Sequence, residues 1–278
     1  MHIPAVAHFG CDMQMAARRF NGRWPLGTKR SGVILKKFIG WNRNAAAWLE
    51  RRFPEVFGAP SYKAELERRI ADDIARLKPS AILEVGGIDR PLLQRGLGFR
   101  YIGLDIEERP NCYTVYDRFI VQSIEQPVNV DADMLVSITL MEHVPDNRAA
   151  ARSMFSALRP GGAMHHYMPS KWHPYSIALR LVGPVMQKWL IPYLRPSAVG
   201  VTGYPAFFDH CSPSDMAKVF REQGFEKINV MPFFRASDYF AFFLPAYVSV
   251  ALFENLCAAL NWRIFSSGFV ISATRPAD

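Results

Sequence analysis

Ala81-Ile-Leu-Glu-Val-Gly-Gly-Ile-Asp-Arg90 is an apolar run that stops abruptly at two glycines. Such a run, bounded by a turn signal, predicts a short buried strand. Gly86 and Gly87 carry no Cβ, so another group can approach the backbone closely there. A second short strand, Tyr101-Ile-Gly-Leu-Asp105, ends on an acid 21 residues after Glu84. Strand, glycine turn, helix, strand and acid together form the layout of a nucleoside-binding α/β unit, in which the closing acid can accept both ribose hydroxyls.

Working outward, Ser61 reads as an N-cap for a helix through Leu77, with Leu66, Ile70, Ile74 and Leu77 at helical spacing. Pro79 ends it, just before the first strand. Beyond Arg90 the chain alternates in a way that predicts a parallel sheet: a helix near 90–96, strand 100–104, a weaker strand at 118–122, strand 134–138, helix 147–158, an Arg159-Pro-Gly-Gly162 turn and strand 163–168. Residues 169–212 are rich in proline and aromatics, too long for a plain connection, and long connections tend to be functional. A helix at 214–223 closed by Gly224, a strand at 225–230 and a last strand at 269–274 complete the pattern. The uncharged run 239–253 is shorter than the ~20 residues of a membrane span. It also holds Pro245, so it reads as a helix buried on the domain or lying in a bilayer interface.

The 278 residues carry a formal charge of +8. The whole excess sits between Met13 and Leu49, which contains no acid and holds Arg18, Arg19, Arg23, Lys29, Arg30, Lys36, Lys37 and Arg43 among Phe20, Trp24, Phe38, Trp41 and Trp48. Short helices are expected around 33–39 and 44–52. This segment suits an anionic membrane surface and, less well, nucleic acid. It equally suits a solvated basic arm with its aromatics packed on the domain. Cys11, Cys112, Cys211 and Cys257 are widely spaced, which fits a reduced, cytoplasmic setting, and the start of the sequence shows no signal-peptide pattern. Residues 1–60 read as a basic, aromatic extension. Residues 61–278 read as one domain, with substrate-side insertions at 169–212 and 233–265.

Four motifs in order are similar to those of class I S-adenosylmethionine-dependent methyltransferases. They are Leu83-Glu-Val-Gly-Gly87, Gly103-Leu-Asp105, the run from Asp133 to the Glu142-His143-Val144 turn, and Leu158-Arg-Pro-Gly-Gly162. The resemblance covers roughly residues 80–230. It implies a Rossmann-like, doubly wound, mostly parallel seven-stranded sheet with helices on both faces, here with helical N-terminal and lid-like additions. It also implies S-adenosylmethionine as cofactor. On the resemblance, the cofactor would be lined by Glu84, Gly86, Gly87 and Asp89 at the first turn, Asp105 and Ile106 after the second strand, Ser123 and Ile124 after the third, and Thr139 after the fourth. Many members have more glycines in the first turn. Here Ile88, Asp89, Arg90 and Pro91 follow Gly87, which narrows it.

A sulfonium methyl is already activated, so orientation supplies most of the acceleration, and a base is needed only for an acceptor that must lose a proton. His143, His166, Tyr167 and His173 are the catalytic candidates. His143 lies where ligands bind in open α/β sheets, or else orders the loop that follows it. His165 and His166 face opposite ways on one strand, so one is core. No pair of residues has metal-ligand spacing. The insertions and the basic arm mix Trp and Tyr with Lys and Arg, which suggests a lipid-linked or amphiphilic acceptor at the cytoplasmic membrane face. A soluble enzyme whose apolar additions form a lid over a small-molecule acceptor fits the same residues. A nicotinamide-dependent oxidoreductase also fits the spacing of Asp105, but a third spaced glycine and a hydride-transfer residue set are missing. A non-catalytic cofactor-binding module is the remaining reading of the narrowed turn.

Overall fold

The structure is a computed structural model, describing residues 29–58, 60–178, 180, 181, 183 and 204–277. The part of the basic arm before residue 29, Cys11 and much of the insertion around 184–203 lie outside the described residues.

Seven strands form one sheet: β1 (Ala81–Val85), β2 (Arg100–Asp105), β3 (Arg118–Val121), β4 (Ala132–Ile138), β5 (Leu158–Pro169), β6 (Glu226–Phe233) and β7 (Gly268–Thr274). Their order is β3-β2-β1-β4-β5-β7-β6. Strands β1 to β5 pair in parallel, and β7 runs antiparallel to both β5 and β6. The mostly parallel, doubly wound sheet expected from the sequence is therefore present.

Both faces are covered, so the central strands are apolar throughout rather than alternating. On one face Leu83, Val85, Leu135, Met164 and Ile271 meet α5 (Asn147–Ala157) and α6 (Pro213–Glu222) through Ala150, Met154, Met216 and Phe220. On the other face Ile82, Tyr101, Met134, Val136 and Val270 meet Leu66 and Ile70 of α3 (Tyr62–Leu77). The α3 seam is polar at one point. His165, nearly buried, contacts Asp73 at 3.0 Å and Ser272 at 2.8 Å. Burial works to raise the Asp73 carboxyl, but hydrogen bonds from His165 and Arg76 hold it below the usual range.

Several expectations need correction. No helix forms at 90–96; the β1–β2 crossover is a series of turns. Pro91 lacks an N–H, Gly96 and Gly98 sit at φ +87° and +91°, and the amides of Leu92 and Leu93 are taken by side chains of Glu84 and Tyr101. The two short helices near residues 33–52 are one helix, α1 (Lys29–Arg52). Gly40 does not break it. Arg159–Gly162 is not a separate turn but an irregularity inside β5, where the register on β4 shifts between Ala132 and Met134. Two short helices, α2 (Pro54–Phe57) and α4 (Cys112–Val115), were not expected, and the uncharged run becomes α7 (Leu244–Ala259). Among the described residues, no helix is long and apolar enough to cross a membrane.

Candidate active site

The strand order reverses between β1 and β4, and the crevice beyond their carboxyl ends is the place where open α/β sheets bind ligands. The turn after β1 forms its floor. The Gly86 N–H donates to the Leu104 carbonyl at 2.9 Å, with φ at +84°. A Cβ on Gly86 would come within 2.9 Å of Leu140, so the turns after β1 and β4 touch only because this residue is glycine. Gly87 is equally constrained, since a Cβ there would strike the Tyr116 hydroxyl and the Glu84 carboxylate. Arg90 N–H donates back to Gly87 at 2.8 Å and closes the turn, leaving Ile88 at φ +46°.

Glu84 faces inward from this turn and is fully buried. Its carboxylate accepts from the Leu92 N–H at 3.0 Å and from the Tyr101 hydroxyl. Burial pushes its carboxyl up to about 7, against the lowering effect of hydrogen bonds from Tyr101, Leu92 and Tyr116. Glu84 thus organises the crossover that replaces a helix, and its oxygens point away from the crevice into the protein's own amides and phenols.

Asp105 ends β2, half-buried. Its Oδ1 accepts from the Glu107 N–H at 2.9 Å. Burial raises its carboxyl above the usual range, opposed by the backbone amides of Glu107 and Ile106. A chain of contacts then crosses the mouth. Asp89 pairs with Arg109 at 3.1 Å, Arg109 lies 3.7 Å from Glu107, and the Tyr204 hydroxyl donates to Glu107 at 2.7 Å. The Tyr204 ring in turn meets the His143 ring edge-on, 6.0 Å between centroids.

His143 closes the 3₁₀ turn after β4. Its Nδ1 lies 2.8 Å from the Pro205 carbonyl, which can only accept, so Nδ1 carries the proton. In the neutral ring Nε2 is then the free acceptor. Burial lowers the His143 pKa, opposed by the Pro205 hydrogen bond, so the ring is neutral at pH 7. Its neighbour Glu142 is buried, 3.7 Å from Nε2, with its carboxyl pushed up to about 8 by desolvation.

The remaining candidates are dispersed. Thr139 sits at φ +51° and donates its N–H to the Tyr167 carbonyl, on the crevice edge. Ile106 is 66% exposed at the rim. Ser123 donates to Glu125, and Ile124 is packed into the core beneath α5. His166 is fully buried, its Nδ1 2.6 Å from Ser137 Oγ and its ring beside Phe220. Desolvation, with the nearby His165, pushes it down to about 3. His173 is also fully buried, at the join between the insertion and α7, 3.4 Å from Glu254. Neither ring reaches the crevice. Tyr167 faces α3 and stacks on Tyr62, with centroids 3.5 Å apart. Tyr175 stacks on Tyr239 at 4.2 Å. Both of these rings bear on the Tyr167 phenol, whose pKa is raised by burial first and then by Tyr239 and Tyr62. Gly86, Asp105, Thr139 and His143 are thus brought to one edge, while Glu84, Ile124, His166 and His173 are interior.

Arg109 and Tyr204 escaped the sequence reading. Arg109 follows an ordinary charged loop, and Tyr204 is one aromatic among many in the insertion. A groove of about 430 Å³ between α6 and β6, lined by Ala217, Arg221, Ile228 and Arg263, lies at the outer edge of the sheet and shares no residue with this crevice.

Solved structures with similar folds include phosphoethanolamine N-methyltransferase 2 of Haemonchus contortus with S-adenosyl-L-methionine (13% identity, 74% of this chain and 52% of that chain, TM-score 0.44). The CurJ carbon methyltransferase (16% identity, 77% and 54%, TM-score 0.46) and the [4+2]-cyclase SpnF (13% identity, 76% and 81%, TM-score 0.46) are also similar. The alignment takes in about half the length of the first two. No curated protein matches the chain in sequence. A family model described as a methyltransferase domain matches residues 62–230, from α3 into β6. That match takes in well over half of the chain, and the chain belongs to the methyltransferase domain family.

Proposed function

We propose that this methyltransferase uses S-adenosylmethionine to methylate a lipid-linked or amphiphilic acceptor at the cytoplasmic face of a membrane. The observation that carries the reading is the family match over residues 62–230, with Asp105 at the end of β2 next to the glycine turn that follows β1.

The residues present fit the cofactor. The Asp105 carboxylate spends one oxygen on the Glu107 amide and keeps acceptor capacity for a pair of ribose hydroxyls. Leu140, packed directly on Gly86, offers an apolar wall. When bound, S-adenosylmethionine supplies a methyl group on a positively charged sulfur. The protein's own part is to orient the acceptor, exclude water and, for a hydroxyl acceptor, remove its proton. His143 suits that last task because its Nε2 lone pair is available at neutral pH. The Asp89–Arg109–Glu107–Tyr204 chain ties the turn after β1 to the loop after β2 and the end of the insertion.

The amphiphilic acceptor is supported by the apolar additions. Phe243, Leu252, Leu256, Trp262 and Ile264 are 44–53% exposed on or beside α7, which follows the 3₁₀ turn Ser237–Phe240. Calorimetry with S-adenosylhomocysteine and with NAD tests the cofactor. Binding of the first, lost in Asp105→Ala, is expected; binding of NAD alone would overturn the reading. Incubation with radiolabelled S-adenosylmethionine and a total lipid extract tests the acceptor. Label recovered only in water-soluble products would favour a small-molecule substrate instead.

A further inference from the structure

α1 packs on the rest of the chain with one face only. Ile39 and Ala46 are 8% and 4% exposed, and Asn42 is 1% exposed. Asn42 works in both directions: its Nδ2 donates to the Phe38 carbonyl at 2.8 Å, and its Oδ1 accepts the Leu244 N–H at 2.7 Å at the start of α7. Glu50 pairs with Arg235 at 2.5 Å. These contacts fix the rotation of the helix about its axis. They leave a second apolar stripe facing solvent, Ile34, Phe38, Trp41 and Trp48, at 70%, 48%, 64% and 55% exposure. The spacing of four, three and seven keeps the four on one side of an α-helix.

An isolated exposed apolar residue needs no explanation, but a stripe of this composition does. The side chains around it are basic. Lys37 stands about 60° from the stripe and Arg52 in line with it, both exposed, and the first acid in the helix is Glu50, which is engaged by Arg235. Two indoles, a phenyl ring and lysines on one helix match the interfacial zone of a bilayer, where amphipathic rings sit at headgroup depth and cations meet anionic lipid. A folded protein partner would have to supply both an apolar groove and a run of acids.

We propose that α1 is a docking helix for an anionic phospholipid bilayer, with Ile34, Phe38, Trp41 and Trp48 entering the interface and Lys37 and Arg52 contacting headgroups. The helix is linked to the Tyr167 side of the sheet through the segment it grips. Arg235 and Leu244 flank the 3₁₀ turn Ser237–Phe240, whose Tyr239 stacks on Tyr175 beside Tyr167. Docking would therefore hold the crevice at the membrane where an amphiphilic acceptor resides. In that respect the inference rests on the proposed acceptor, whereas the docking itself does not.

The test is flotation of the full chain with phosphatidylcholine vesicles, with and without phosphatidylglycerol. Binding to the anionic vesicles, weakened by salt and accompanied by a blue shift of tryptophan emission, is expected. At about fivefold per cation, Lys37→Gln with Arg52→Gln weakens binding by roughly 25-fold. Phe38→Ser with Trp41→Ser abolishes it, with thermal unfolding and S-adenosylhomocysteine affinity unchanged as the measure of intact fold. Wild-type chain that fails to float, or a Phe38/Trp41 double variant that floats as well as wild type, overturns docking. So does a self-associated species in analytical ultracentrifugation that the double variant dissolves, with no flotation, since the stripe would then be covered by a second copy. Chain that floats but labels no lipid leaves docking standing and overturns the acceptor reading.

Discussion

At the scale of single residues, histidines of one type are put to opposite uses by burial. His143 keeps a partly open ring with a defined proton on Nδ1, and His166, sealed behind Ser137 and Phe220, is held neutral. For a hydroxyl acceptor, His143→Gln is expected to lower kcat by about 10²–10⁴ while leaving S-adenosylhomocysteine binding intact. The depressed His143 pKa keeps wild-type activity flat through neutral pH, with loss only in the acid range below 6.5. His166 predicts a stability effect of definite sign. Its folded pKa of about 3 lies below the ordinary 6.5, so the unfolded chain binds the extra proton between those values. Stability is full above pH 6.5 and falls as pH drops through that window, by at most about 1.4 kcal/mol per unit. Urea titrations from pH 7.5 to about 4 on wild type and His166→Asn check this: the variant should show the shallower acid slope. Gly103 is the third case. A Cβ there would meet Tyr116 and Phe119 at 2.7 Å, so Gly103→Ala is expected to cost about 1–3 kcal/mol in the same titration.

At the scale of elements, the additions are held by buried polar pairs. Glu254 of α7, 2% exposed, accepts the amides of Ala236 and Ser237 at 2.6 and 3.0 Å and lies against His173. Glu254→Leu strands two buried donors and should lower stability by about 3 kcal/mol; limited proteolysis should show the segment around 235–245 cut first. The strands were legible because both faces of the sheet are covered and the apolar runs end at Gly86, Asp105 and Thr139. The β1–β2 crossover was not, because the groups that divert it are distant in sequence. Tyr101 on the far side of the loop and the inward Glu84 capture the Leu93 and Leu92 amides that a local reading assigns to a helix. The same reason hid half of the site. Asp105 and His143 sit at strand ends where pattern alone points, whereas the roles of Arg109 and Tyr204 exist only once three loops meet. The expectation of two short helices around 33–39 and 44–52 failed in the other direction, since α1 gains enough from packing Ile39, Asn42 and Ala46 to run on as one helix.

At the scale of the molecule, the two faces of the sheet are unequal. One carries α5 and α6 in regular crossovers, and the other carries α3, a looped crossover and the additions that lead to α1. The regular face supports the crevice, and the irregular face gives it its surroundings, which is why fold and cofactor follow from the core and the acceptor has to be sought in the additions. The sheet also imposes an order on biosynthesis. β7 leaves the ribosome last of the seven strands, yet its place is interior, between β5 and β6. Until it emerges, β6 has no neighbour to pair with and the sheet has a gap rather than an edge. The nascent chain must therefore hold its amino-terminal half folded while the last strand threads into a reserved slot, a stage at which unpaired strands invite aggregation. A stop codon after Ser267 should accordingly yield insoluble protein rather than a trimmed enzyme, and supplying residues 268–278 as a separate peptide during refolding should recover part of the soluble fraction.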